Sequence, residues 1–323
     1  MRGAAKWIIG LALAGLLLIT GNFFYGWSAA GPSTREVTVV IKPGSSISLV
    51  ATQLEKAGII KSAQAFVNRA KILAATTTIK AGEFLIPAYA SNSQILNILT
   101  GGKAVQRMVT VVEGMPSIMV YERLMANEKL TGDIQVPAEG SVLPDSYSFE
   151  KGESRASVLK RMQDAMTKTL AELWEKRSAD AVVKTPQEAL SLAAIVEKET
   201  QVAAERPTVA GVYSNRIRKN MMLQADPTII YPITKGKPLG RRIKQSEIAD
   251  VNDYNTYAMI GLPKGPIANP SRASIEAVLN PAKTSALFFV ADGKGGHVFA
   301  DTLQQHNANV EKWYAIRRER GEM

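Results

Sequence analysis

The sequence predicts an α+β protein in which an N-terminal transmembrane helix precedes a small α/β module and a larger, mixed α+β domain. Three observations favour this architecture. Residues 7–27 include no charged side chain. Short β-rich runs then alternate with segments of helical apolar spacing as far as about residue 150, and longer helical patterns follow. A chain of 323 residues is long enough for more than one buried core.

The composition is basic and free of cysteine. Lys and Arg exceed Asp and Glu by 39 − 29 = 10, which suits an acidic polymer, an anionic membrane surface or a nucleic acid. No basic run is interleaved with aromatic residues and no zinc or RNA-binding spacing occurs, so we expect no nucleic-acid partner. The lack of cysteine excludes disulfides, thiolate metal sites and cysteine nucleophiles. His297 and His306 do not have the spacing of a helical metal pair, so we expect structural histidines, no metal and no cofactor.

The N-terminal apolar stretch predicts where the protein resides. Trp7–Trp27 has roughly the 20 residues that a bilayer-spanning helix requires. Arg2 and Lys6 precede it, which predicts a cytoplasmic N-terminus. A cleaved signal peptide is the alternative, with Ser28–Ala30 resembling a cleavage site, but the stretch is longer than a usual signal core. Residues 1–30 are therefore predicted to be a cytoplasmic tip and a single-pass anchor in the inner (plasma) membrane, with the rest of the chain periplasmic.

Residues 31–105 have the pattern of a small α/β module. The predicted elements are a strand over Glu36–Ile41, a helix capped by Ser45 or Ser46, a helix over Ser62–Leu73, a strand over Ile79–Pro87 and a helix over Gln94–Leu99. This strand–helix–helix–strand order, with the glycine and apolar spacing of its first half, resembles a LysM module. The resemblance implies contact with a glycan through a shallow groove, and a spacer or docking role is the alternative.

Residues 106–150 are predicted to form a second small β–α unit and a connector. Val109–Gly114 is again a β-rich run that ends in glycine, followed by a helical pattern. Gly114 and Leu124 have the same separation as Gly44 and Leu54 in the preceding module. The turn-rich segment Glu139–Phe149 then leads to the last domain.

A helix over Thr185–Thr200 is the predicted centre of this last domain, residues 151–323. Thr185 is suited to cap the helix, Pro186 costs no hydrogen bond in the first turn, and Glu188 completes a capping box. Further predicted elements are helices over Arg155–Lys176, Arg206–Arg218, Ser271–Leu279 and Leu303–Arg318, a short β-like run before Tyr231 and a buried strand over Ala286–Ala291.

One carboxyl of the central helix, that of Glu199, shares a stripe with bulky apolar side chains. The stripe is formed by Leu192, Ile195 and Val196. Glu197 is turned roughly 200° away from Glu199. Burial disfavours a carboxylate, so the pKa of Glu199 should rise, and the group can then serve as a general acid. A buried structural carboxylate paired with an arginine such as Arg206 is the alternative.

Four motifs, in order behind one apolar stretch, resemble the YceG-like family of endolytic murein transglycosylases. They read LAAIVEKET, MMLQADPTIIY, YNTYAMIGLPKGPIANP and FFVADGKGGHVFADTLQQH. EGSVLPDSYSF is a weaker version of a further family motif. Two departures are Lys264, where the family usually has a second proline, and Arg272, where a glycine is common. Both affect loop shape and leave the acid untouched.

The resemblance implies a carbon–oxygen lyase that cleaves MurNAc-β-1,4-GlcNAc bonds within nascent glycan strands. It implies 1,6-anhydroMurNAc ends, a limit on glycan elongation, and peptidoglycan strands and peptidoglycan synthases as partners. It also implies a catalytic glutamate in the IVEKET helix, for which the stripe favours Glu199, with Glu197 in reserve.

The loops that follow offer candidates for orienting the sugars. They are Gln224, Asp226, Asn255, Tyr257 and Asn269, and a purely structural loop role is the alternative for each. One acid suffices for a lyase, whereas a hydrolase generally needs a second carboxylate. A lysozyme-like hydrolase using Glu199 with Asp226, and a non-catalytic, membrane-tethered glycan-binding scaffold, are therefore the alternative functions.

Overall fold

The computed structural model describes residues 2–74, 76–102, 105 and 107–322. The chain divides into two compact units, residues 1–107 and 108–323. The first contains the segment predicted as an anchor and the predicted α/β module. The second contains the remaining elements, and the predicted boundary between residues 150 and 151 stays a prediction.

Helix α1, Arg2–Ser28, opens the first unit. Several of its large apolar side chains are strongly exposed, among them Leu11, Leu18 and Tyr25. Within the part of the chain that the structure describes, no helix combines the length and the apolar character that crossing a membrane would require. The predicted transmembrane helix is thus a helix whose transmembrane role is not confirmed.

The α/β module follows in the predicted order. Its elements are β1 Val37–Ile41, α2 Ile47–Lys56, α3 Ala63–Leu73, β2 Gly82–Ile86 and α4 Asn92–Gly101. Serine side chains cap all three helices as N-caps, and the two strands pair antiparallel with Val39 opposite Phe84. Phe84 and Phe66 are fully buried in the core between the strands and the helices. The strand–helix–helix–strand order is confirmed, whereas the likeness to LysM stays a prediction.

The second unit begins with a further small β–α arrangement. It comprises β3 Arg107–Thr110, α5 Ser117–Met125 and β4 Ser146–Phe149, of which the two strands pair. The long helix α6, Arg155–Glu175, packs its apolar residues against this part and against the main core.

Helix α7, Pro186–Glu199, lies at the centre of the second unit. Every side chain from Ala189 to Glu197 is buried, because α7 is surrounded by α6, α8 (Arg206–Arg218) and α11 (Arg272–Leu279). The Thr185 hydroxyl accepts the N–H of Glu188, as predicted. The predicted capping box is wrong in one detail, since the Glu188 carboxylate accepts from the N–H of Lys184 instead of Thr185.

The segment after Ala225 is helix α9, Asp226–Thr234, where the sequence predicted a β-like run. Its β-branched and aromatic residues favour strands, but Pro227 fits the first turn of a helix and Asp226 suits its positive end. Tertiary burial of Thr228 and Ile229 then decides for the helix. A short helix, α10 Gln245–Ile248, follows in the next loop.

The chain ends in a hairpin and a long helix. Strands β5 Phe288–Ala291 and β6 His297–Ala300 pair antiparallel, and α12, Leu303–Glu319, packs on them. The predicted buried strand is only half-buried, and its residues Phe289 and Val290 line an open cleft. A glycine-containing turn, residues 292–296, joins β5 to β6.

Candidate active site

Glu199, the last residue of α7, lies on the wall of an open cleft of about 510 Å³. The cleft is formed by the C-terminal end of α7, one face of α8, the start of α9, the loop after α10, strand β5 and one face of α12. Its lining side chains are Glu199, Tyr213, Arg216, Leu223, Gln224, Asp226, Tyr257, Phe289, Val290, His306, Val310, Trp313, Tyr314 and Arg317. Three of the predicted site residues besides Glu199 therefore meet here: Gln224, Asp226 and Tyr257.

Burial raises the pKa of Glu199 to about 7, and the negative charge of Asp226 contributes in the same direction. A hydrogen bond from the Tyr213 hydroxyl and the positive charge of Arg216 lower the pKa, but by less. At neutral pH the carboxyl is accordingly protonated in a substantial fraction of the molecules. Such a group can donate a proton and later accept one, as a general acid–base catalyst must.

Asp226 is held in the cleft by Tyr257. The Tyr257 hydroxyl donates a hydrogen bond to Asp226 Oδ1 at 2.6 Å. The two residues meet because the segments that carry them are joined by a buried threonine pair. Thr228 Oγ1 and Thr256 Oγ1 are 2.8 Å apart, and Thr256 Oγ1 also accepts the N–H of Ala225 at 3.0 Å. Local structure around α9 thus positions the second carboxylate of the cleft.

Arg216 is a buried cation that organises the cleft floor. Its guanidinium donates to the carbonyl oxygens of Leu287 at 2.7 Å and Leu223 at 3.0 Å, and its Cζ atom lies 5.2 Å from the ring centre of Phe288. Burial lowers its pKa from the ordinary arginine value, and nearby acidic groups oppose that effect. Arg216 joins the strand β5 to the loop before Gln224 while keeping a positive charge close to Glu199.

Glu197 is a buried structural carboxylate paired with an arginine, the alternative role that the sequence allowed for Glu199. Its Oε2 accepts both the N–H of Ser271, at 2.8 Å, and the Ser271 hydroxyl, at 2.5 Å. Arg206, the arginine proposed as a partner for Glu199, lies 3.4 Å from Glu197 Oε1 and also binds Glu113 at 2.7 Å. Glu197 is only 7% exposed, because α7 is buried on all sides from Ala189 to Glu197.

The pattern of the YceG-like family matches residues 39–312, which is most of the chain. The chain belongs to the YceG-like family. A protein of Bacillus subtilis named endolytic murein transglycosylase is 28% identical over 340 residues, covering 94% of this chain and 93% of the relative. A Streptococcus pneumoniae protein of the same name is also 28% identical and matches 86% of this chain, which spans 58% of that relative's length.

A crystal structure of a YceG-like protein from Listeria monocytogenes has a similar fold. The TM-score is 0.55 at 27% sequence identity, with 85% of this chain and 99% of the Listeria chain covered. The two departures from the family motifs lie on the surface in this YceG-like chain. Lys264 Nζ lies 2.9 Å from Asp253 Oδ2, and Arg272 Nη2 lies 2.9 Å from Glu172 Oε1.

Two predicted sugar-orienting residues, Asn255 and Asn269, do not line the cleft. The Asn255 amide donates to the carbonyl oxygens of Ile248 and Asp250, at 3.0 and 2.6 Å, and is completely buried. The Asn269 side chain is equally buried and joins three segments: it accepts from Val142 N and donates to the Met115 carbonyl and the Ser117 hydroxyl. In both cases the buried amide bonds to the protein's own backbone, which corrects the expectation of sugar contact.

A second carboxyl with a raised pKa lies outside the cleft. Burial raises the pKa of Glu139 to about 7, and hydrogen bonds from Ser117 partly oppose this. Glu139 Oε1 accepts the N–H of Ser117 at 2.8 Å and lies 3.4 Å from Asn269 Nδ2. This site at the N-terminal end of α5 escaped the sequence analysis, because the turn-rich EGSVLPDSYSF segment carries no periodic signal of burial.

Sequence reasoning also missed several lining residues of the cleft. Tyr213 and Arg216 are three positions apart on α8, a spacing that places them on one helical face. That spacing was available in the sequence, but Tyr213 also continues the apolar side of the helix formed by Val209, Val212 and Ile217. Nothing in the local sequence of α12 indicated that its aromatic residues would face Glu199, since the two elements lie about 110 positions apart.

Proposed function

We propose that this protein is an endolytic murein transglycosylase, a lyase that cleaves MurNAc-β-1,4-GlcNAc bonds inside peptidoglycan strands. One observation supports the proposal most strongly. The cleft of a YceG-like chain contains an acid, Glu199, whose pKa is raised to about 7. Relatives that carry the name endolytic murein transglycosylase align along nearly the whole chain.

The first step requires a proton donor at the glycosidic oxygen. Glu199 in its protonated form supplies that proton, and the bond between the MurNAc C1 and the leaving oxygen breaks. Positive charge then develops at C1 and the ring oxygen. Asp226, an exposed carboxylate of the same cleft, stabilises that charge electrostatically, and its position is maintained by the Tyr257 hydroxyl.

The second step closes the anhydro ring without water. The C6 hydroxyl of the same MurNAc attacks C1, and its proton passes to the Glu199 carboxylate, which is thereby ready for the next cycle. Atoms balance, because one proton leaves Glu199 and one returns, and the products together have the composition of the substrate strand. A single acid is sufficient for this sequence.

The remaining predicted residues assist this chemistry in two ways. Gln224 lines the cleft just before the start of α9, and its Oε1 lies 3.4 Å from Arg216 Nη1. Its amide is suited to bind an N-acetyl group. Asn255 acts through Tyr257, whose N–H it accepts at 2.9 Å, and therefore positions the loop. Asn269 similarly positions the segment that precedes Ser271.

Mass spectrometry of digested glycan strands tests the proposal. The full chain and its Glu199→Gln form are incubated with strands released from peptidoglycan. We expect 1,6-anhydro ends from the wild-type chain and none from the variant. Reducing ends, heavier by one water, would instead establish the hydrolase that uses Glu199 with Asp226. No cleavage by the wild-type chain would favour the glycan-binding scaffold.

We further propose that α1 associates with the inner membrane and places the enzyme beside peptidoglycan synthases, where shortened nascent strands limit elongation. The strongly exposed apolar side chains of α1, such as Leu17 and Ile19, support this part of the proposal. Co-sedimentation of the full chain with phospholipid vesicles tests it, with Leu17→Asp as the comparison. Equal amounts of both proteins in the supernatant would contradict it.

The βααβ module is proposed to contact glycan in the manner of a LysM module. Its element order supports this assignment. Retention of the full chain on insoluble peptidoglycan, compared with surface variants in the module, provides the test. Unchanged retention would favour the spacer role.

A further inference from the structure

A stripe of side chains along α12 faces the cleft that contains Glu199. Its members are His306, Val310, Trp313, Tyr314 and Arg317. Their separations of four, three, one and three positions place them on one side of a helix. The eleven helical steps from His306 to Arg317 extend about 16 Å, which is longer than a single sugar ring. One wall of the cleft is therefore an extended helix face instead of a single side chain.

The distal half of this stripe combines aromatic rings with a guanidinium. Trp313 is half-buried, Tyr314 is 40% exposed, and the Arg317 guanidinium lies 5.9 Å from the ring centre of Trp313. The β5–β6 turn packs closely against Trp313. A side chain at Gly293 would lie 3.4 Å from the Trp313 ring and 3.1 Å from Ile316, so the glycine allows the helix to approach this closely.

Aromatic rings with an exposed face and a neighbouring cation suit a particular class of ligand. The C–H groups on the face of a pyranose pack against aromatic rings, as other apolar surfaces do. Arg317 adds a planar donor for a carboxylate. Its present partners are the carbonyl oxygen of Glu322 at 3.1 Å and, more distantly, the Glu322 carboxylate at 3.7 Å from Nε. A stronger carboxylate ligand can replace these solvent-exposed contacts.

We propose that Trp313, Tyr314 and Arg317 form a subsite for a carboxylate-bearing sugar next to the scissile bond, with MurNAc as the sugar of that class in peptidoglycan. The inference rests on the proposed function for its substrate. The three residues follow the segment that the family pattern matches, which ends at residue 312. The rings hold the sugar face, and Arg317 binds the carboxylate of the lactyl ether or of the attached stem peptide.

Two alanine substitutions test the stacking part. Tyr314→Ala and Trp313→Ala are made in the full chain, and KM and kcat are measured on glycan strands. We expect KM to rise about tenfold, corresponding to about 1.4 kcal/mol, with kcat within about twofold. Tyr314→Ala removes an exposed side chain, so it remains informative if Trp313→Ala fails to fold.

Trp174→Ala provides the matched control. Trp174, on α6, also stacks with an arginine, Arg177, at 4.2 Å, and neither residue lines the cleft. We expect an unchanged KM. An equal rise of KM in all three variants would show a general loss of stability and would overturn the subsite.

Arg317→Gln tests the carboxylate part. Binding is measured calorimetrically in the Glu199→Gln background with three probes: peptide-bearing strands, strands freed of peptide that retain the lactyl carboxylate, and chitooligosaccharides without a carboxylate. We expect the wild-type subsite to prefer the carboxylate-bearing probes and Arg317→Gln to lose that preference. Comparison of the first two probes identifies which carboxylate is bound.

The outcomes separate the subsite from the proposed function. A wild-type chain that forms anhydro ends while Tyr314→Ala and Trp313→Ala keep the wild-type KM would overturn the subsite alone. A wild-type chain that binds strands but never cleaves them would overturn the proposed function, and the binding measurements would still decide about the subsite. Equal affinity of all three probes for the wild-type subsite would exclude a role for Arg317.

Discussion

Arg206 pairs with the buried carboxylate of Glu197, whereas the carboxyl of Glu199 lines the cleft. Arg206 Nη2 lies 3.4 Å from Glu197 Oε1, while Ser271 donates two hydrogen bonds to the other carboxylate oxygen. Two acids on one helix, two positions apart, thus have different environments. Arg206 and Ser271 compensate the charge of Glu197 in the interior. Burial and the negative charge of Asp226 instead raise the pKa of Glu199 to about 7. Different environments for two carboxyls are what separates a structural group from an acid catalyst.

Glu199→Gln should abolish cleavage and preserve the fold. Glutamine has the same shape but cannot donate or accept the catalytic proton, so we expect kcat/KM to fall by at least about 10²-fold. The rate of formation of anhydro ends on glycan strands measures this, and circular dichroism monitors the fold. Residual activity near the wild-type level would transfer the catalytic role away from Glu199.

Glu197→Gln should have the opposite profile. The neutral amide no longer compensates Arg206, which keeps only Glu113, so we expect the free energy of unfolding to fall by about 1–3 kcal/mol. Cleavage at 25 °C should remain within a few-fold of the wild-type rate. Urea unfolding and the cleavage assay on the same preparation provide both numbers. A stable but inactive Glu197→Gln protein would indicate that Glu197, and not Glu199, is the catalytic acid.

The pH dependence of cleavage should shift in opposite directions in two variants. Activity requires protonated Glu199, so kcat/KM should fall as the pH rises through about 7. Asp226→Asn removes a negative charge that raises the pKa of Glu199, so the alkaline fall should move to lower pH. Tyr213→Phe removes a hydrogen bond that lowers this pKa, so the fall should move to higher pH.

Midpoints of kcat/KM profiles, rather than absolute rates, measure these shifts, because both side chains also line the cleft. Arg272→Gln, on the surface, should leave the midpoint unchanged. Shifts of the same sign in Asp226→Asn and Tyr213→Phe would contradict the assignment of Glu199 as the titrating acid.

Glu139→Gln should remove part of the pH dependence of stability. Burial raises the pKa of Glu139 in the folded protein to about 7, from the ordinary glutamate value of 4.5. The folded state therefore binds the proton more tightly, and stability is full below pH 4.5 and declines as the pH rises to about 7. Glutamine mimics the protonated form, so the variant should be more stable than the wild type above pH 7, by on the order of 1–3 kcal/mol.

Thermal unfolding between about pH 2 and 8, a range that covers the titration of Glu139 and of the control Glu172, checks this prediction. Glu172→Gln is a control of opposite sign, since Arg272 and Lys176 lower the pKa of that exposed carboxyl. The contribution of Glu172 to stability is present above its unfolded pKa and is lost as the pH falls. A Glu139→Gln protein that follows the wild-type curve at every pH would exclude Glu139 as a titrating group.

Local signals in the sequence were sufficient for most helices and for the choice of Glu199. The cap at Thr185 and one of the two candidate caps, Ser46, were correct, and the bounds of α6, α8 and α11 were correct to within a residue or two. These features depend on neighbours within one helical turn, which the sequence displays directly. The β-like run at α9 was wrong because burial of two side chains outweighed their strand propensity.

Only the tertiary structure decided which polar groups face one another. Periodicity placed Glu199 on a buried stripe and Glu197 elsewhere, but α7 is buried on all sides, so its partners decided their roles. The contacts of Arg206 with Glu113, of Tyr257 with Asp226 and of α12 with the cleft join positions far apart in the chain. The sequence by itself determined the helices and the presence of an acid. Its pKa and its cleft depend on distant residues, because hydrogen bonding and desolvation act through space rather than along the chain.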